Sequence, residues 1–257
     1  MKFVSYPPCE QLKRYVKQLV VSENSIAQTY KVLPGTSLVM GFQYIGRLAH
    51  LRGQTPIQLA KAGVTGLMDS FRLFKNTAHI GTILVIFKET GAAAFLKMPV
   101  HELFSESLSL DHFFDRIQLA ETEEKLCAAN GDQQRIRIVE QLLINHLREI
   151  PEDYLVTEAI NQIKQSNGTL RITQLARYLN ISQSPLEKRF RKVVGASPKK
   201  FSSIVRIGHT LSMLTPANYQ ETIFLAGYHD QAHFIKDFKT FTGNTPQQFV
   251  KEKTEHK

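Results

Sequence analysis

His229 and His233 stand four residues apart with Asp230 beside the first; on a helix that spacing brings two imidazoles to one face, where they could share a zinc ion. The run His229-Asp230-Gln231-Ala232-His233 departs from the zinc-protease pattern at its acid. Asp stands where a Glu would serve as general base, its shorter side chain reaches less far, and no third ligand follows at a familiar spacing. The pair therefore reads as polar surface near a helix start rather than as a metal centre. His79, His101, His112 and His146 are scattered singly and read as surface or satisfied core histidines. Cys9 and Cys127 form no C-x-x-C pair, which removes zinc ribbons and thioredoxin-type redox centres, and both read as small apolar residues. The sequence also lacks G-x-G-x-x-G, the P-loop and the G-x-S-x-G turn. No catalytic residue, metal site or cofactor is expected from these patterns.

The chemistry that the sequence does concentrate is positive charge. Its 257 residues carry 32 Lys and Arg against 23 Asp and Glu, a net charge of +9. Residues 1–163 and 221–257 are each balanced, whereas residues 164–220 hold ten Lys and Arg and one acid, Glu187. So dense a cationic stretch attracts a polyanion through phosphate contacts and counterion release. Nucleic acid is the first partner this implies, and an anionic membrane surface the second. No membrane span is expected: the longest apolar stretch, residues 80–87, has eight residues and includes Gly81 and Thr82, against roughly 20 needed to cross a bilayer. The amino terminus has charges and Pro7-Pro8 where a signal peptide would need an apolar run, and the unpaired cysteines suit a reducing cytoplasm.

Two kinds of element must position these residues. In the first hundred, short runs rich in β-branched and aromatic residues, 37–44, 57–62 and 80–87, are punctuated by Pro34-Gly35, Gly46, Gly53, Gly63, Gly66 and Gly91, which predicts a β-rich domain. Phe42, Tyr44, Phe71 and Phe74 are expected to be core aromatics rather than the lining of a pocket. Beyond Pro99, residues 100–107, 111–120, 122–129 and 133–147 carry apolar residues at helical intervals. From residue 154 the chain reads as helices throughout, the first over 154–165 and stopping at Asn167-Gly168. A short helix over 172–179, a turn at Asn180 and a helix capped by Ser182 make a helix-turn-helix; the stripe Leu186, Phe190 and Val193 or Val194 runs to Gly195. A long helix over 199–214 follows. The expected fold class is α+β. It comprises a β-rich domain, barrel or cupin-like, over 1–148 that ends in helices, a linker over 149–153, an all-α double helix-turn-helix domain over 154–251 and a tail over 252–257.

An internal repeat supports the doubling. Leu186, Phe190, Gly195, Pro198 and Phe201 recur as Phe234, Phe238, Gly243, Pro246 and Phe249, each 48 residues on, and the second copy has a turn at Gly227-Tyr228 and a cap at Asp230. A helix of this kind fits the major groove, which returns to the same side of a duplex after about 34 Å, so one chain could read two successive segments. In the first recognition helix Ser184, Glu187, Lys188 and Arg191 lie opposite the apolar stripe. Lys188 can donate to guanine, Glu187 can accept from cytosine N4, and Arg191 lies where phosphate contact is expected. The corresponding second face is Ala232, Ile235, Lys236 and Lys239, with Gln231 and His233 as polar readers at the helix start. Ala232 and Ile235 suit thymine methyl groups. The first motif is expected to discriminate sequence and the second to orient the protein.

The run from Gly227 to Phe234, followed by Phe238-Lys239, Gly243-Asn244-Thr245-Pro246 and Phe249, resembles the signature of the AraC/XylS family of bacterial transcription regulators; Leu175-Ala176, Ser182, Leu186, Phe190, Gly195 and Pro198 resemble its first motif. The resemblance covers residues 152–251 and implies a seven-helix domain acting at promoters. Its base-reading sites fall on Ser184, Glu187 and Lys188 and on Gln231, Ala232, His233 and Lys236. Arg171, Ser182, Gln183, Arg191 and Lys239 complete the expected DNA-contacting set. It also implies double-stranded promoter DNA and RNA polymerase as partners, and a small-molecule effector or a homodimer contact in the first domain. The sequence departs from the family at Ile223, where a small Ala is usual, at Arg171, where a Ser or Thr cap would stand and phosphate binding is expected instead, and at the small Ser184. Tyr30 to Gly46 and Phe87 to Pro99 resemble one uncharacterised subgroup of the family's amino-terminal domains. Two other readings stand beside the regulator: an enzyme whose centre lies in residues 1–150 and is tethered to DNA, and a nucleoid-type binder without sequence preference.

Overall fold

The computed structural model describes residues 1–215, 228 and 230–255. Its first half is built from two antiparallel sheets. The larger holds, in spatial order, β1 (Lys2–Tyr6), β2 (Val16–Asn24), β9 (Ile80–Phe87), β4 (Val39–Ile45), β7 (Ala62–Thr65) and β10 (Ser107–Ser109); the smaller holds β3 (Gln28–Val32), β8 (Arg72–Asn76), β5 (Leu48–Arg52) and β6 (Thr55–Gln58). The sheets do not close into a barrel, which corrects one of the two expected forms. Alternation gives the larger sheet one fully apolar face, where Leu19, Val21, Met40, Phe42, Ile83, Val85 and Phe87 are buried. Helices α1 (Arg116–Ala128) and α2 (Asp132–His146) share that core through Leu119, Leu126, Val139 and Leu143.

The segments around these helices differ from the sequence reading. Residues 57–62 are split between β6 and β7. Residues 100–107 form only a 3-10 turn, Val100–Leu103, after which Ser105 takes a positive φ of 59° and the chain turns into β10. The two helices expected over 111–120 and 122–129 are one, α1, because Asp115 accepts from the Ile117 and Gln118 main-chain N–H groups and starts it there. Phe42, Tyr44 and Phe74 are buried as expected, but Phe71 is only partly so and lies against Gly243 of the other half of the chain. Cys127 is exposed and donates to the Tyr44 carbonyl (3.2 Å), so it does not act as a core residue. His146 stacks on Phe114 and its Nδ1 lies 2.8 Å from the Leu142 carbonyl.

The second half holds α3 (Tyr154–Gln165), α4 (Ile172–Tyr178), α5 (Gln183–Val194), α6 (Pro198–Met213), α7 (Gln231–Thr242) and α8 (Pro246–Glu255). The apolar core does not stop at residues 149–153. Phe87, Phe95 and Leu143 belong to the same cluster as Val156, Ile160, Leu186, Phe190 and Phe201. A second, smaller cluster gathers Ile204, Ile207, Leu214, Tyr228, Phe234, Phe238 and Phe241. The first half and the first helix-turn-helix thus share one core, and the second copy has its own.

Gly195 marks the junction. It ends α5 in the left-handed region at φ 93°, and a Cβ there would sit 3.0 Å from Val100 Cγ1. We expect Gly195→Ala to lower the unfolding free energy by about 1–2 kcal/mol, from the cost of left-handed backbone for a residue with a Cβ. Urea titration checks this; an unchanged midpoint would contradict the described junction.

Candidate nucleic-acid interface

The turn between α4 and α5 is made by Asn180 at φ 51°, where Asn relieves the strain that most side chains would meet. Helix α5 buries Leu186, Phe190 and Val194, and Phe190 meets Phe201 edge-on at 5.4 Å. With that face committed, the opposite face is left to solvent. Gln183, Ser184, Lys188 and Arg191 are exposed and Glu187 is partly so, with Ser182 exposed at the N-cap.

The second copy repeats this at the same offset. Helix α7 spans Gln231–Thr242 against Gln183–Val194 for α5, and both end in a left-handed glycine, Gly243 at φ 80° matching Gly195. Asp230 caps α7 by accepting from the Ala232 N–H at 2.9 Å. Phe234 and Phe238 replace Leu186 and Phe190 in the buried stripe, and Gln231, Ala232, His233, Lys236 and Lys239 are exposed. Ile235, expected on that face, is partly buried against the second cluster. The turn residue Gly227, the departure at Ile223 and His229 of the histidine pair lie outside the described residues. Among the described residues, no three His, Cys, Asp or Glu gather as a metal-binding group.

Electrostatics redistribute the expected roles. Glu187 receives Arg191 through Nε (2.8 Å) and Nη2 (2.7 Å), a pairing that the i, i+4 spacing allows and that engages both residues on the exposed face. Arg171 begins α4 without a capping side chain of its own. Instead the Gln174 carboxamide oxygen accepts from the Arg171 N–H at 3.3 Å, and the Arg171 side chain stays exposed. His233 is flanked by the Tyr228 ring at 5.6 Å, and its Nε2 lies 3.6 Å from Asp237 Oδ2.

Several positioning residues were missed in the sequence. Asp153 accepts from the Val156 N–H to cap α3, and both its oxygens receive the Arg189 fork at 2.9 Å, so one acid starts α3 and holds α5. Its place just before a helix was the available signal. Lys164 pairs with Glu89, and Lys200 pairs with Asp69 while lying over the Phe104 ring. The Arg206 guanidinium stacks on Tyr228 at 4.1 Å, and the Tyr228 hydroxyl donates to Asp237 at 3.2 Å. Burial is the main cause that pushes the Tyr228 hydroxyl up to about 12. These contacts engage Lys164, Arg189, Arg191, Lys200 and Arg206, half of the basic residues in 164–220. Arg171, Arg177, Lys188, Lys192 and Lys199 remain exposed.

A helix-turn-helix domain family matches residues 175–252, and a domain of unknown function (DUF6597) matches residues 4–109. The Msm operon regulatory protein of Streptococcus mutans is 29% identical over 159 residues, which cover 59% of this chain and 56% of that protein. An uncharacterised HTH-type transcriptional regulator of Staphylococcus aureus is 29% identical over 128 residues, covering 44% of this chain and 17% of its own length. The chain therefore spans about half of the first relative and under a fifth of the second. Among solved structures, ToxT from Vibrio cholerae matches with a TM-score of 0.46 and 13% identity over 91% of this chain and 97% of its own. The C-terminal domain of AraT, a response regulator from Geobacillus stearothermophilus, matches with 0.35 and 24% identity over 38% of this chain and 84% of its own.

The double role of Asp153 can be separated. Asp153→Ala removes cap and fork together and is expected to cost about 1–2 kcal/mol, whereas Asp153→Asn keeps a good cap and should cost about 0.5 kcal/mol or less. Urea titration of both variants reads the difference; equal losses would show that the ion pair, not the cap, stabilises this corner.

Proposed function

Because the chain belongs to the AraC/XylS family of helix-turn-helix regulators, we propose that it is a sequence-specific DNA-binding transcription regulator that reads two adjacent major-groove segments. The observation that carries this is the repeat: two helices 48 residues apart, each ended by a left-handed glycine, each burying one apolar stripe and leaving a polar face exposed, although Ser182, unlike Asp230, makes no side-chain capping hydrogen bond. In this reading Lys188 contacts base edges through the first helix, Gln231 and His233 do so through the second, and Ala232 meets thymine methyl groups. Arg191, held by Glu187, serves either a base or a phosphate, and Ser184 contributes room rather than reach. Arg171, Ser182, Gln183, Lys236 and Lys239 fix the protein on the phosphate backbone.

The division at residues 149–153 separates the parts by role: the β-rich half modulates, through an effector or a contact with a second copy, and residues 154–251 bind promoter DNA and present the protein to RNA polymerase. No described helix is long and apolar enough to cross a membrane, and a cytoplasmic location suits the role. The enzyme reading gains no observation in its favour.

Binding to genomic fragments, mapped by footprinting, tests the proposal. Two protected stretches about one helical turn apart are expected, with a log–log salt slope of about −5 from the exposed cations. Lys188→Ala should relax discrimination by about 1–2 kcal/mol at one base pair, while Lys236→Ala should weaken binding evenly across sequences. Equal binding to random duplex would overturn the reading.

A further inference from the structure

The exposed side of α5 has two flanks of different charge. At about 100° per residue, Glu187 and Arg191 lie next to the buried stripe of Leu186, Phe190 and Val194, and Lys188 and Lys192 lie on the other side of Ser184. The first flank is neutral and the second carries two positive charges. Glu187 is the one acid among residues 164–220, and it stands on the face that meets a polyanion in the reading above. A bare carboxylate there would be repelled by the phosphates of both strands; paired with Arg191 it brings no net charge to the groove.

The geometry of the pair has two results. Both Arg191 contacts, Nε at 2.8 Å and Nη2 at 2.7 Å, end on one oxygen, Glu187 Oε1. Helical side chains lean toward the amino terminus, and the small Ser184 on the preceding turn leaves Glu187 unobstructed. The Arg191 guanidinium is therefore drawn back to the level of Glu187, although its own Cα lies about 6 Å further along the helix. That is toward the amino-terminal part of a recognition helix, which meets base edges. The contact also uses only one edge of the guanidinium and one carboxylate oxygen. Among the described residues the other edge, Nη1 with the second Nη2 hydrogen, and Glu187 Oε2 have no partner. Nη2 belongs to both edges, so the unengaged groups stand in the order Nη1 donor, Nη2 donor, Oε2 acceptor.

The major-groove edge of a G·C pair presents two acceptors and then a donor: guanine N7, guanine O6 and cytosine N4. An A·T pair alternates, so one Arg191 N–H would face adenine N6 and Glu187 would face thymine O4. We propose that Glu187 and Arg191 act as one composite reader of a single G·C pair, Arg191 donating its unengaged edge to guanine and Glu187 Oε2 accepting from the paired cytosine. The proposal rests on the DNA-binding reading above and decides its open choice for Arg191 in favour of a base. In water an exposed pair of this kind is weak. Between the strands, where water is displaced, the attraction strengthens and holds both groups in register for the base pair.

Selection of bound sequences from a randomised duplex pool by the full chain, followed by titration of duplexes that differ at one pair, tests it. One position should prefer G·C about tenfold or more over A·T, and 7-deazaguanine there, which lacks the N7 acceptor, should weaken binding. Arg191→Lys keeps the charge and loses the planar fork; it should remove most of that preference and leave the salt slope unchanged, whereas a phosphate contact would survive it. Glu187→Ala should narrow the preference at the same pair. The double variant should lose no more than the larger single loss, because the two residues act as a unit. Both side chains are about half exposed, so the melting temperature should not move. Survival of the preference in Arg191→Lys, losses at different base pairs, or additive losses would overturn the proposal. Equal binding of every duplex by the unaltered chain would overturn the regulator reading and the proposal with it.

Discussion

The burial of one stripe on α5 fixes most of what the helical half can do. Leu186, Phe190 and Val194 are fully buried, and side chains of this size contribute roughly 1.5–3 kcal/mol each on leaving water. Their partners include the β-rich half as well as the neighbouring helices: α5 packs on the 3-10 turns Gly91–Ala94 and Val100–Leu103. The helix cannot roll about its axis without opening that core. Its orientation, and the exposure of Lys188 and Arg191 on the far side, therefore follow from apolar packing rather than from polar contacts.

The charge of the same region then acquires a more limited meaning. A surplus of ten cations to one acid in 57 residues looks like one continuous polyanion surface, yet Asp69, Glu89 and Asp153 from the rest of the chain each take one of those cations. Exposed ion pairs of this sort contribute about 0–1 kcal/mol, so they do little for stability. Their effect is geometric. Glu89 and Asp69 tie the helical half to the β-rich half, Asp153 ties α5 to the start of α3, and together they leave a smaller set of cations facing outward, which sets the footprint available to phosphates.

The helical half was legible because its determinants are local. A cap, a left-handed residue and an apolar stripe lie within about four turns of each other, and the constant offset of 48 residues carries from sequence to helix ends without change. The Glu187–Arg191 pair was also within reach, since i, i+4 spacing is visible by eye. The β-rich half was legible as strands but not as sheets. Alternation tells which residues share a face and says nothing of which strand lies next to which, so β9 was bounded correctly while its neighbours, β2 and β4, were not foreseen. The same limit hid Arg72, whose partners at Ser105 and Ser107 are more than thirty residues away and follow no spacing rule. Phe71 was assigned to the core because an aromatic beside a strand usually is; its true neighbour, Gly243, is set by the docking of the two halves.

That docking divides the molecule in a way the linker does not. Helix α6 begins in the shared core at Phe201 and continues into the second cluster at Ile204 and Ile207; at 1.5 Å per residue its 16 residues form a rod of about 24 Å. The first recognition helix is fixed to the β-rich half by a broad apolar surface. The second meets that half through Leu33, Phe71 and Lys31, a few side chains at the end of β3 and the start of β8. A ligand shifts a conformational balance only by its differential affinity for the two states. A small contact is where a modest difference can matter, because little apolar surface must be uncovered to change it.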